Sequence, residues 1–275
     1  MPFIEKRKLR MIYAGSLVAG VAVALVGVAL YFKSPRTADY LFMAAIAVGM
    51  APPAVAHAMD TRWRESIESR VPELLEDIAE GQLTGLTFLR AIEASAMKDY
   101  GAVTSELRRI LAHIKLGGTI EEGFEEFARR VDSKMVKRTS GIIVETTRAG
   151  GDIAKIIRSL ADYLRQVKTI NDDRRGTMRT YVFIVYIAFG VFMTTVVILL
   201  NQFFYPLIGM GSNIFLPQAD YETYRRIFYY MAGMQALFSG LIAGKLGEGE
   251  IVAGFKHAII MIVATIVLFI FFMAG

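Results

Sequence analysis

The sequence contains no cysteine. Disulfides, thiolate metal sites and cysteine nucleophiles are thereby excluded. Its three histidines, His57, His113 and His257, are far apart and show no metal-ligand spacing. There is no HExxH, no nucleophile elbow and no phosphate loop. Strand-like alternation is missing as well, and the cores of the long apolar runs hold no acidic residue. Ion-coupled transporters place ionisable groups there, so that class is disfavoured.

What fills the chain is apolar. Of 275 residues, 54% are hydrophobic and 21% charged, a balance that belongs to multi-span membrane proteins. Five runs stand out, over residues 11–32, 40–59, 181–204, 227–244 and 255–273. At about 1.5 Å per residue, each is close to the length needed to cross a hydrocarbon core of about 30 Å. The first is too long for a signal peptide and is read as a retained span. Pro52-Pro53 in the second run removes two backbone donors and is expected to kink or break that helix. The fourth run begins beside Arg225 and Arg226 and is the least regular of the five.

Basic residues flank these runs unevenly. The tail "EKRKLR" carries four, Arg62, Arg64 and Arg70 follow the second run, and Arg174, Arg175 and Arg179 precede the third. With alternating spans these fall on one side, which sets the N-terminus and residues 60–179 in the cytoplasm. The expected organisation is a tail and two spans over 1–59, a cytoplasmic helical domain over 60–179, and three spans over 180–275. A short extracytoplasmic loop is expected at about 205–226. Arg174, Arg175 and Arg179 would lie at anionic headgroups.

Residues 60–179 hold 21 of the 31 basic and 20 of the 26 acidic residues. This near balance describes a solvated domain and not a nucleic-acid surface. Glycines recur at Gly85, Gly118 and Gly151, 33 residues apart, each between the tail of one helix and the head of another. Ile120, Phe124, Phe127 and Ala128 match Ile153, Ile157, Leu160 and Ala161, while the first unit fits with a slip of one residue. Gly85, Gly118, Gly150 and Gly151 are read as hairpin glycines that end helices in a left-handed turn. Thr119 and Asp152 are read as caps of the helices that follow. Three such αα-hairpins make a six-helix bundle, so the fold class is all-α and polytopic. The helix starting at Asp152 meets no proline before the third span, and only Gly176 weakens it.

Several quoted stretches carry a family likeness: "LRRILAHIKLGGTIEEGFEEFARRV", "ETTRAGGDIAKIIRSLADYLRQ", "MRTYVFIVYIAFGVFM" and "GLIAGKLGEGEIVAGFKHAIIM". Together, over about residues 70–260, they resemble the F-domain family of type II secretion systems. Its members are polytopic inner-membrane platform proteins of type II secretion systems, type IV pili, tight-adherence pili and the archaeal flagellum. The tail is similar to the archaeal and tight-adherence branch. Many members carry two such domains, whereas this sequence shows one. The resemblance implies a scaffold that couples a hexameric secretion ATPase to the assembly of prepilin-like subunits. It also implies pairing with itself or with a second F-domain protein, and location in the cytoplasmic (inner) membrane. It implies no cofactor and no catalytic or metal-binding residue. The rival readings are a permease of an ATP-driven transporter, which would use short coupling helices and a polar path, and an integral-membrane enzyme.

Three local features have competing readings. Glu121, Glu122, Glu125 and Glu126 form an acidic face that is a solvated surface, a docking patch for a basic partner, or a weak divalent-cation site. Glu145 and Arg148, three apart, extend that candidate docking surface. Ala232, Ala236, Gly240 and Gly244, four apart, form a stripe that allows close helix packing, either within the chain or between two copies.

Overall fold

A computed structural model describes residues 6–149, 152–206 and 221–272. Among these the regular structure is entirely helical: α1 (Lys6–Tyr31), α2 (Pro35–Glu68), α3 (Val71–Leu83), α4 (Phe88–Ser95), α5 (Ala102–Lys115), α6 (Ile120–Val131), α7 (Lys134–Ala149), α8 (Ile153–Ile198), α9 (Tyr221–Glu248) and α10 (Gly254–Phe272). A π-helical turn, Leu199–Phe204, continues α8. Five helices, α1, α2, α8, α9 and α10, are long and apolar enough to cross a membrane. The chain divides into two compact units, one of residues 1–6 and 58–174, the other of residues 7–57 and 175–275. Gly150, Gly151 and most of the loop expected at 205–226 lie outside the described residues.

In the 58–174 unit, α3 packs on α4, α5 on α6 and α6 on α7, and the first part of α8 joins them around one core. Ile78, Ile92, Leu107, Phe124, Val131, Ile143 and Ile157 are buried there. Two turns are equivalent residue for residue. Thr84 and Leu116 end their helices, Gly85 and Gly117 follow with φ of +93° and +94°, and Thr87 and Thr119 cap the next helix. The left-handed position therefore falls on Gly117 and not on Gly118, and the two turns stand 32 residues apart. Gly118 does something different: a Cβ there would overlap the His113 ring. The one-residue shift aligns Phe88, Ile92, Ser95 and Ala96 with Ile120, Phe124, Phe127 and Ala128. These face the same core, and Phe88 stacks on Phe124 at 6.3 Å between ring centroids.

Two buried polar groups fix neighbouring helices. Glu106 of α5 accepts from Arg130 of α6 at 2.7 Å and from Arg109 at 2.8 Å. Tyr100 donates to Asp77, which also faces Lys98 at 2.9 Å. Burial pushes the Tyr100 hydroxyl above its ordinary pKa, and the bond to Asp77 raises it further.

In the other unit, α8 contributes Phe189, Met193, Val196 and Leu200 to a core shared with Met43, Tyr229, Met261 and Phe269. The steps of four, three and four keep these four on one helix face. The stripe of small residues on α9 is spent inside the chain. Ala232 and Ala236 are fully buried, and a Cβ on Gly240 or Gly244 would overlap the α10 backbone at Ala258 or Gly254. Helix α1 meets α2 closely at Gly20 and Gly49, beside an apolar groove of about 700 Å³ that includes Phe42, Met50 and Pro53.

The break expected at Pro52-Pro53 does not occur, since α2 is helical through both. The carbonyls of Val48 and Gly49 lose their ladder donors, a loss that packed membrane helices accommodate by local adjustment.

Because an L side chain in the left-handed region costs about 1–2 kcal/mol, Gly117→Ala should destabilise the 58–174 unit by that amount. Gly118→Ala, which need only displace the His113 ring, should cost less. Thermal unfolding of the detergent-solubilised chain measures both, and equal losses would contradict the assignment of the turn.

Candidate functional site

The α3–α4 and α5–α6 turns lie at one end of the 58–174 unit. Phe88 and Phe124 sit at the heads of α4 and α6, and Arg148 near the end of α7 reaches Glu125 of α6 at 3.3 Å. At this end the caps hold the helix heads. Thr119 accepts from the Glu122 N–H at 3.2 Å, and Glu122 accepts in return from the Thr119 N–H at 3.0 Å, a capping box. Asp152 accepts from the Lys155 N–H at 3.2 Å. Thr87 caps α4 in the same way, accepting from the Arg90 N–H at 3.4 Å.

The acidic face of α6 is internally matched. Glu122 lies 3.2 Å from His113 Nε2, and Glu126 accepts from Arg130 at 3.0 Å. Arg148 bridges Glu125 and Glu145, the latter at 3.8 Å. Among the described residues no three His, Asp or Glu side chains converge to hold a metal ion. The Glu122 carboxyl is held below its ordinary value of 4.5, first by the Thr119 N–H and then by His113. Its contribution to the cap is thus present at neutral pH and is lost as pH falls through that depressed value.

Sequence reasoning missed the leucines at this end. Leu116 is 89% exposed, Leu83 59% and Leu86 43%. They sit at the same helix–glycine–helix turns, and that adjacency to glycine was the available signal.

The second cluster lies in the other unit, where α1 ends and α2 and α9 begin. Asp39 is buried, and both its oxygens face Arg226, at 2.9 Å and 3.1 Å, while Tyr230 donates to it at 2.7 Å. The Arg226 guanidinium also stands 5.3 Å from the centre of the Tyr31 ring. Arg225, buried as well, donates to Glu222 at 3.1 Å and to Tyr40 at 3.3 Å, and Glu222 also pairs with Arg36. The span expected beside an arginine pair is the regular helix α9, and it is long and apolar enough to cross a membrane. Its arginine pair is matched by carboxylates at Asp39 and Glu222, which apolar-run counting placed outside the spans.

At the opposite end of the same unit the α9–α10 turn is also polar. His57 faces Glu250 at 3.5 Å, Lys256 pairs with Glu248, and Tyr186 shares a 2.9 Å hydrogen bond with His257. Between the two clusters run the apolar lengths of α2, α9 and α10, so this unit is apolar in the middle and charged at both ends. Arg174, Arg175 and Arg179 are exposed on α8.

Removing one member of a buried ion pair strands the other and costs about 3–5 kcal/mol. Arg226 retains 32% of its side-chain exposure, so Asp39→Ala is expected near the lower bound, about 3 kcal/mol. The double variant Asp39→Ala/Arg226→Leu should recover most of that loss in thermal unfolding. A double variant as unstable as the single one would show that the pair is not what holds α2 to α9.

Residues 74–200, a little under half of the chain, match the family "Type II secretion system (T2SS), protein F". The chain is 25% identical over 217 residues to an uncharacterized protein of Methanocaldococcus jannaschii. The match takes in 78% of this chain and 36% of that protein, so the chain spans about a third of its relative's length. No solved structure matches.

Proposed function

Starting from a chain that carries a type II secretion system protein F domain, we propose that it is the membrane platform of a type IV pilus-like or type II secretion-like machine. It couples a cytoplasmic hexameric ATPase to the assembly of prepilin-like subunits, and makes or breaks no covalent bond itself. In this reading it is a multi-pass protein of the cytoplasmic membrane, with its N-terminus and the 58–174 unit in the cytoplasm. It works with a second copy or with a second F-domain protein. The hairpin end, with Leu83, Leu86 and Leu116 among Glu121, Glu125 and Arg148, is the surface offered to the ATPase. Arg174, Arg175 and Arg179 lie at the headgroups.

The observation that carries this reading is the length of α8. One helix of 46 residues begins at the third hairpin and ends inside a candidate span. At 1.5 Å per residue it is a rod of about 70 Å. Gly176 meets no other atoms within contact distance and leaves the helix unbroken. A movement imposed on the hairpin end has a continuous hydrogen-bonded path to the apolar segment. A permease built on short coupling helices needs no such rod.

Inserting one alanine after Asp173 turns the two ends of α8 relative to each other by about 100°. Each end can still fold and bind. Filament assembly or secretion should stop while co-purification with the ATPase persists. Normal assembly by insertions of one, two and three residues alike would make α8 a passive tether and sink the coupling role.

A further inference from the structure

The apolar groove between α1 and α2 lies wholly within the unit of residues 7–57 and 175–275, and its walls are hydrocarbon. Leu17, Val21 and Ala24 line it from α1, and Ile46, Met50 and Pro53 from α2. Its floor is where the two backbones come close. A Cβ on Gly20 would stand 3.2 Å from the Ala45 carbonyl oxygen and 3.3 Å from the Gly49 Cα. Ser16 also lines the groove, but it is buried and donates its hydroxyl proton to the Tyr13 carbonyl at 2.8 Å. That side chain offers no free donor to a polar ligand.

The length of the groove identifies its occupant. It runs from Tyr13 to Ala24 on α1 and from Phe42 to Pro53 on α2, about 17 Å at 1.5 Å per residue. That is close to half of a hydrocarbon core of about 30 Å, the depth of one leaflet. Beyond Ala24 the two helices close, since a Cβ on Gly27 would touch Leu41 and the Phe42 ring at 3.4 Å. A membrane-spanning helix from another protein needs a seam about twice as long. A groove that is blind at mid-membrane fits a lipid tail, which ends there itself.

The mouth lies at the end where α9 turns into α10, marked by Tyr13, Pro53 and Phe255. His57 follows Pro53 by one turn of α2 and faces Glu250 at 3.5 Å, and Lys256, beside Phe255, pairs with Glu248. Those charges are matched. Arg10 precedes Tyr13 and Leu17 by three and seven residues and shares their helix face. It is exposed, and it pairs with no carboxylate among the described residues.

We propose that this groove binds one hydrocarbon tail of an anionic phospholipid from the leaflet at the α9–α10 end, with the lipid phosphate at Arg10. The tail supplies packing to α1, a helix that is exposed along most of its length. Arg10 selects the headgroup by charge, as basic side chains at a membrane surface do. The site depends neither on the platform reading nor on which side of the membrane this end faces.

The chain has a single tryptophan, Trp63. In a Trp63→Phe background, one tryptophan is placed by Leu17→Trp or Ile46→Trp in the groove, or by Val18→Trp outside it. Val18 is exposed at nearly the same depth as Leu17 and turned about 100° from it. Each chain is reconstituted in phosphatidylcholine bilayers with rising fractions of phosphatidylglycerol brominated on its tails, and fluorescence quenching is read. Leu17→Trp and Ile46→Trp should reach half-maximal quenching at a mole fraction at least threefold lower than Val18→Trp. Adding Arg10→Gln should bring the groove values up to the Val18→Trp value while the circular dichroism of the helices stays the same. Equal half-points at all three positions, or a groove preference that survives Arg10→Gln, would overturn the proposal. So would groove tryptophans that neither brominated phosphatidylglycerol nor brominated phosphatidylcholine quenches, a result that places a protein segment there.

Discussion

The backbone hydrogen-bond ladder of α8, uninterrupted from Ile153 to Ile198, is the constraint on which the rest of the molecule depends. A helix satisfies its own peptide groups, so it is the form in which a chain can pass from a water-exposed bundle into an apolar medium without stranding donors and acceptors. Its hairpin end is fixed by Ile157, Leu160, Ala161 and Leu164 in the bundle core. Its other end is fixed by Phe189, Met193, Val196 and Leu200 in the second core. The stretch 165–177 between them is exposed apart from half-buried Val167, and Arg165 and Lys168 tie its start to Glu76 and to the Ser69 carbonyl.

The bundle that holds the first part of α8 is built with one local device used more than once. At the α3–α4 and α5–α6 turns a helix stops, a glycine turns left-handed, and a threonine hydroxyl caps the next helix two residues on. Thr87, Thr119 and Asp152 each satisfy an amide that a helix start leaves bare, an effect of about 1 kcal/mol apiece. Leu83, Leu86 and Leu116 are exposed beside the α3–α4 and α5–α6 turns.

Much of this was legible in residue patterns. Five apolar runs became five helices long enough to span, and two of the glycine-marked breaks became helix–glycine–helix turns, 32 residues apart and not 33. Thr119 and Asp152 cap the helices that follow them. The failures have physical causes. A repeat register read from glycine identity chose Gly118, because sequence spacing cannot tell a left-handed glycine from one that makes room for a histidine ring. Pro52-Pro53 was expected to kink or break its helix, and of these the break does not occur, since packed membrane helices accommodate proline. Asp39 was invisible because its meaning depends on Arg226, nearly two hundred residues away in sequence. The small-residue stripe on α9 had two uses, and only the fold could show α10 already occupying it.

The central claim is that α8 is a rod and not a tether. Spin labels on cysteines at Arg158 and Thr180, both exposed, bracket the stretch in question. The labelled chain would be diluted with unlabelled protein and reconstituted in bilayers, and the distance distribution measured by double electron–electron resonance. The account predicts one narrow distribution centred near about 33 Å, the length of a continuous helix over that interval. A broad distribution, or one centred well below that length, would mean that the helix yields near Gly176 and would contradict it.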